Sequence, residues 1–214
     1  MIYLIIFSTI ISSSSYGPIS GVDNPLPVVP GHGEVIFNMR VEPDNWIKMK
    51  LGVGLWDFFM MSIAYGGENI VGTGDITWGK DLWVDVRSYL FSDYENHILV
   101  GYSTEPFSGA VTKGLYLCAG REQGIGFGRI FGSAGINYNF NNKQADLFGD
   151  AYLNLGESHY FIIEYTAGLG YTKKNIFNFG YLNQSMSLGI QIDLKDIING
   201  DIGRELQVIF RESF

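Results

Sequence analysis

Apolar and polar residues alternate along most of the chain beyond residue 33. In the first such segment Val35, Phe37, Met39 and Val41 are apolar, and most residues between them are polar. Successive side chains of a strand point to opposite faces, so a period of two indicates strands with two unlike faces. Eleven segments alternate in this way: 34–41, 47–55, 59–65, 82–87, 98–103, 115–120, 133–140, 147–155, 161–169, 185–192 and 206–211.

Short turn signals separate these segments, for example Asn141-Asn142-Lys143 and Gly156-Glu157-Ser158. Such short connections join antiparallel neighbours, because a parallel crossover needs a dozen or more residues. Bacterial single-chain membrane barrels use even strand numbers, so eleven visible segments imply ten or twelve strands. Either one segment is not a strand, or a further strand lies hidden in residues 17–31.

Alternation alone fits two classes of barrel, a soluble one with apolar residues inside and a membrane one with apolar residues outside. Three observations favour the membrane. Charged residues are only 17% of the chain. Extended to the turn signals on either side, the segments predict strands of about 9–12 residues, close to the ~9–11 that cross a bilayer at a tilt. Aromatic residues such as Trp46, Trp56 and Tyr94 gather at strand ends, as in interfacial girdles. We predict an all-β, antiparallel up-and-down transmembrane β-barrel of about 10–12 strands in the cell outer membrane, in contact with its lipid.

The N-terminus has the form of a targeting segment. An apolar run over residues 2–11 is followed by four serines at 12–15. This order is typical of a secretory signal peptide, although no basic residue precedes the run. We predict a signal peptide over residues 1–15, an N-terminal periplasmic segment over 16–33 and the barrel over 34–214.

Charge and composition exclude several functions. The formal net charge is −8, which disfavours nucleic-acid binding. The single cysteine, Cys118, cannot form an internal disulfide. The three histidines, His32, His97 and His159, lack metal-ligand spacing, and the distance along a strand from His97 to Ser103 is too long for a direct contact. We therefore expect no enzymatic activity, no cofactor and no metal.

Charged residues on the polar faces should point into the lumen and pair there, since an unpaired buried charge is costly. This predicted lumen charge cluster comprises Arg40, Lys48, Lys50, Asp85, Arg87, Asp150, Glu164 and Arg211. We interpret it as a polar plug that stabilises a closed barrel. The alternative is a selectivity ring in a channel.

Two further features lie outside the lumen. The glycine-rich segment 66–79 lacks a phosphate-loop ending, and it predicts a surface contact loop with the candidate residues Glu68, Asn69, Asp75 and Trp78. The C-terminal Phe214, with Phe210 at an alternating position, is similar to the signal that the barrel-assembly machinery reads. Glu212 departs from that pattern.

Two stretches carry a family resemblance. One runs from Ser62 to Asp75 and on to Trp78. The other comprises residues 193–199, residues 203–206 and the final four residues, Arg211-Glu212-Ser213-Phe214. They resemble the YjbH-like outer-membrane β-barrel proteins of Gram-negative bacteria. The resemblance implies an outer-membrane barrel, and some of its members are linked to exopolysaccharide export.

These observations predict a small, monomeric, non-enzymatic outer-membrane barrel with a largely plugged polar lumen. Its expected role is in the cell envelope, with polysaccharide as a partner that the resemblance implies. Two alternatives stay open: a narrow pore for small polar solutes, and a soluble periplasmic β-barrel that binds an apolar ligand.

Overall fold

The computed structural model describes residues 17–71, 73–107, 111–140, 143–156, 158–167, 175–200 and 202–214. The predicted signal peptide, residues 1–15, lies outside these ranges. The strands are β1 Glu34–Glu42, β2 Trp46–Leu55, β3 Phe59–Glu68, β4 Thr77–Trp78, β5 Trp83–Ser92, β6 Asn96–Phe107, β7 Val111–Ile125, β8 Gly128–Asn139, β9 Gln144–Leu155, β10 His159–Ala167, β11 Ile176–Ser185, β12 Leu188–Lys195 and β13 Gly203–Ser213.

The strands form a closed antiparallel barrel. Each long strand pairs with the next long strand in the chain, and β1 pairs with β13, where Glu34 lies opposite Ser213. The two-residue β4 extends one edge of β3 within a loop, so the barrel itself has twelve strands. Closure gives every wall strand two neighbours and leaves no open sheet edge in the wall. The predicted fold class and the upper strand number are confirmed.

The twelfth strand is β11, which the alternation analysis missed. Its inward positions are Asn178, Gly180, Leu182 and Gln184, and Leu182 is fully buried. The next position, Asn183, is polar and outward, so apolar and polar residues exchange faces at the end of the strand and the period-two signal is lost. The expectation of a hidden strand in residues 17–31 is wrong, because the structure forms only an isolated bridge there, between Ser20 and Pro25.

The wall has its apolar face outside and its polar face inside. On β12, Leu188, Ile190 and Ile192 are about half exposed, whereas Gln191 and Asp193 are buried. This is the arrangement of a barrel solvated by lipid and opposite to that of the soluble alternative. Exposed aromatic rings lie near both rims: Trp56, Phe58, Tyr94 and Phe127 at one, and Trp78, Tyr138 and Phe140 at the other. Among the described residues, no helix is long and apolar enough to cross a membrane.

The two ends of the barrel differ. The end that carries the described N- and C-terminal residues of the wall has tight turns, such as Trp56-Asp57 with φ of 55° and 61°. At the β5–β6 turn on this end, the main-chain N–H groups of Asn96 and Glu95 donate to Asp93 and lower the pKa of its carboxyl group. The opposite end carries the longer connections, including residues 69–82. Short turns at the end of the termini are typical of the periplasmic side.

Residues 17–30, hereafter the inner segment, lie inside the barrel. They enter at the end of the termini, turn where Gly21 N–H donates to Asn24 O at 2.9 Å, and return to the start of β1. Residues 21–27 are all buried. The prediction that residues 16–33 form a segment in the periplasm is therefore wrong for residues 17–30. A lumen of twelve strands is wide enough for chain to fill, because barrel diameter grows with strand number.

Candidate functional site: the lumen and the inner segment

All eight residues of the predicted lumen charge cluster lie on inward faces of the wall. Seven of them are buried and Lys50 is partly buried. They do not form a single network. The structure divides them among separate groups along β1, β2, β5, β9, β10 and β13.

The densest group joins β2, β5, β6 and β7. Lys50 Nζ lies 2.9 Å from Asp85 Oδ2 and 2.8 Å from Glu105 Oε2. Arg87 Nη2 donates to the same Asp85 oxygen at 2.5 Å, and Tyr116 OH donates to Asp85 Oδ1 at 2.9 Å. Asp85 thus accepts from three side chains, and its charge is balanced where water is scarce.

The remaining cations of the cluster have partners elsewhere. Lys48 Nζ lies 2.8 Å from Glu42, Arg40 Nη1 lies 3.5 Å from Glu205, and Arg211 Nε donates to Glu34 Oε1 at 2.5 Å. In contrast, Asp150 and Glu164 lie opposite each other on β9 and β10. Two like charges at neighbouring positions repel, so this part of the wall favours donors that approach from the lumen.

Sequence analysis missed several buried lumen charges. They are Asp23, Glu34, Glu105, Lys113, Asp146, Asp193, Lys195 and Glu205. Most could have been found by continuing each alternation to the end of its strand. Continuing the alternation would not have found Lys113, because the neighbouring Gly114 has φ of +68° and the β6–β7 register shifts there. Such a bulge re-aims a side chain to the other face.

Main-chain carbonyl groups of the inner segment accept hydrogen bonds from three wall arginines. Gly17 O accepts from Arg211 Nη1 at 2.7 Å. Ile19 O accepts from Arg87 Nη1 at 3.1 Å, and Val22 O accepts from Arg40 Nη1 at 2.9 Å. The segment therefore supplies acceptors along the cationic side of the lumen.

Main-chain N–H groups of the same segment face the acidic side. Asp23 N and Asn24 N both donate to Glu164 Oε2, at 2.8 and 2.6 Å, and Asn178 Nδ2 donates to Glu164 Oε1 at 2.7 Å. Asp23 Oδ1 also accepts from Lys195 Nζ at 2.8 Å. These are charge-assisted bonds in a dry interior, which are stronger than neutral ones.

Apolar contacts complete the fit. Val22 and Leu26 are fully buried in a cluster with Phe131, Ile162 and Leu182 of the wall. Fully burying such a side chain contributes ~1.5–3 kcal/mol. Four prolines, Pro18, Pro25, Pro27 and Pro30, reduce the number of N–H groups that must find a partner away from the sheet.

The cavities described beside the inner segment are small. Two cavities of about 40 and about 20 Å³ are both lined by Ser20 of the segment and by Arg40, Lys50 and Arg87 of the wall. At ~10–15 Å³ for each water, they hold a few water molecules. They offer no room for a sugar or another solute of that size.

The remaining sequence candidates lie outside the lumen. Glu68 ends β3, and Asn69, Asp75 and Trp78 belong to the long β3–β5 connection, where Asn69 Nδ2 donates to Asp75 O at 3.3 Å and Trp78 stacks on Tyr65. Phe210 faces outward on β13, and Phe214 is almost fully exposed beyond it.

His97 contacts Ser92 through Nδ1 at 2.9 Å, rather than Ser103, at an exposed hairpin end. Among the described residues, no group of three or more His, Cys, Asp or Glu could hold a metal ion.

No protein-family model and no curated protein matches this chain. Among solved structures, the KdgM porin matches with a TM-score of 0.55 at 9% identity, covering 85% of this chain and 99% of the porin. The chain shares its fold with a porin. A second structure, the KdgM porin in complex with disordered oligogalacturonate, matches with the same values. At this identity the likeness shows the fold, and the YjbH-like resemblance stays a prediction.

Proposed function

We propose that this chain is a monomeric, non-enzymatic outer-membrane β-barrel whose lumen is closed by its own inner segment. Its placement in the outer membrane is supported by the apolar outer face, the aromatic rims and the porin-type fold. The observation that carries the closure is that Asp23 N and Asn24 N both donate to Glu164, which holds the turn of the inner segment inside the barrel.

In this state the barrel acts as an envelope protein without steady ion flow. The residual cavities admit only a few waters, and the cations beside them are held by carboxylates of the wall. A role beside surface polysaccharide is part of the proposal, and its support is the sequence resemblance alone.

A narrow pore for polar solutes is the second candidate. It is favoured by the fold that the chain shares with a porin, one structure of which holds an oligogalacturonate. With the inner segment displaced, Arg40, Arg87 and Arg211 would face the lumen without their main-chain acceptors. An acidic sugar would find charge-assisted donors there.

Two measurements test the proposal. Membrane fractionation with boiled and unboiled gel lanes should place the chain in the outer membrane with a heat-dependent change in mobility. The folded protein should then show no steady current steps in a planar bilayer. A reproducible single-channel step from the unmodified chain would overturn the closure and favour the pore. Recovery in the soluble fraction without a mobility change would overturn the membrane assignment.

A further inference from the structure

The main chain of the inner segment makes six of the hydrogen bonds that hold it to the wall. Carbonyl groups of Gly17, Ile19 and Val22 meet three arginines. On the return path, Val29 N–H donates to Tyr89 OH at 2.9 Å. Together with the two N–H groups that meet Glu164, these bonds fix the path of the chain. The side chains of Asp23 and Asn24 add bonds to Lys195 and Lys113, so the site also reads the sequence of the segment.

We propose that the lumen is a peptide-binding site, and that the inner segment is its tethered ligand. The inference rests on the proposed function and goes beyond it, since a plug that only stabilises the wall need not be replaceable. The wall pairs β1 with β13 and closes through its own strands. Its closure therefore does not run through the inner segment, and the segment can leave without opening the sheet.

At one position of the inner segment, steric contact with the wall restricts which residue fits. A Cβ atom at Gly21 would lie 2.7 Å from Glu164 Oε2 and 3.1 Å from Asp150 Oδ1. Both carboxylates belong to the wall, and Glu164 is held by three hydrogen bonds. A side chain at position 21 therefore displaces the group that anchors the turn. The site favours glycine there, and it favours an acidic residue two positions later, which joins Glu205 in pairing with Lys195.

The test uses the full chain in planar bilayers. Gly21→Val should give current steps where the unmodified chain gives none. Gly132→Val is the matched control, because a Cβ atom there meets nothing within 4 Å and the residue is exposed on β8. It should stay silent. Gly21→Ala, which adds the Cβ atom alone, replaces the valine variant if that variant lacks the heat-dependent mobility change of a folded barrel.

A synthetic peptide of residues 17–33 is then added on the side of the termini. It should block the Gly21→Val current at a concentration at least tenfold lower than the same peptide with valine at position 21, and a scrambled peptide should not block.

Three results would overturn the inference: silence of both Gly21 variants, current without block, or equal block by all peptides. Each of them leaves the proposed closure intact. Steady current from the unmodified chain would instead refute that closure.

Discussion

Glu164 is the wall residue on which retention of the inner segment depends most directly. Glu164→Ala removes the acceptor of Asp23 N and Asn24 N, which are bonded at 2.8 and 2.6 Å and buried. A hydrogen bond to a charged group contributes ~1.5–3 kcal/mol, so two of them contribute about 3–6 kcal/mol. We take the lower end, because docking of the segment also removes water from Glu164 beside Asp150. A loss of about 3 kcal/mol raises the fraction of displaced segment about 100-fold.

The assay is the rate at which a maleimide labels Ser20→Cys in the folded full chain, with the site of labelling identified by mass spectrometry. Ser20 lies in the inner segment and lines both cavities. Glu105→Ala is the control, because Glu105 is as buried as Glu164 but contacts Lys48 and Lys50 of the wall. Labelling should accelerate about 100-fold with Glu164→Ala and stay near the starting rate with Glu105→Ala. Equal rates in the two variants would refute the anchoring role of Glu164.

Two other predictions concern the wall. Ile163→Arg, at a half-exposed outward position in the middle of β10, should lower the free energy of unfolding in lipid by ~2–4 kcal/mol, whereas Leu188→Arg at the start of β12 should cost ~0–1 kcal/mol. Equal costs in urea titrations would contradict a depth-dependent lipid face. Removal of Phe214, which is exposed beyond β13, should reduce the amount of heat-modifiable barrel in cells without lowering the unfolding free energy of the protein that does assemble. Unchanged assembly would argue against an aromatic assembly signal.

Alternation of apolar and polar residues predicted eleven of the twelve strands of the wall. Each strand of a barrel has one face toward lipid and one toward the lumen. A local period of two in the sequence therefore predicts each strand and the direction of its side chains. The direction in which charges such as Asp85 and Glu164 point followed from the same period. Strand β11 was not predicted, because the apolar side chain of Leu182 points into the lumen. The inward position of Lys113 was not predicted either, because it follows from the bulge beside Gly114.

Pairing within the lumen was decided by the tertiary structure. The register of twelve strands brings Lys50 to Asp85 and Glu105, and it sets Asp150 beside Glu164. Lys50 is 35 residues from Asp85 and 55 residues from Glu105 in the sequence. A period of two says which face a residue takes, but not which residue lies beside it in the lumen.

The inner segment marks the limit of what the sequence by itself determined. Its prolines and glycines show no periodicity, so the pattern predicted a region outside the barrel and nothing about its path. Its position depends on groups contributed by distant strands, among them Glu164, Arg40 and Lys195. The environment of a strand is encoded in its own alternating residues, whereas the occupant of the lumen is determined by side chains that many strands contribute.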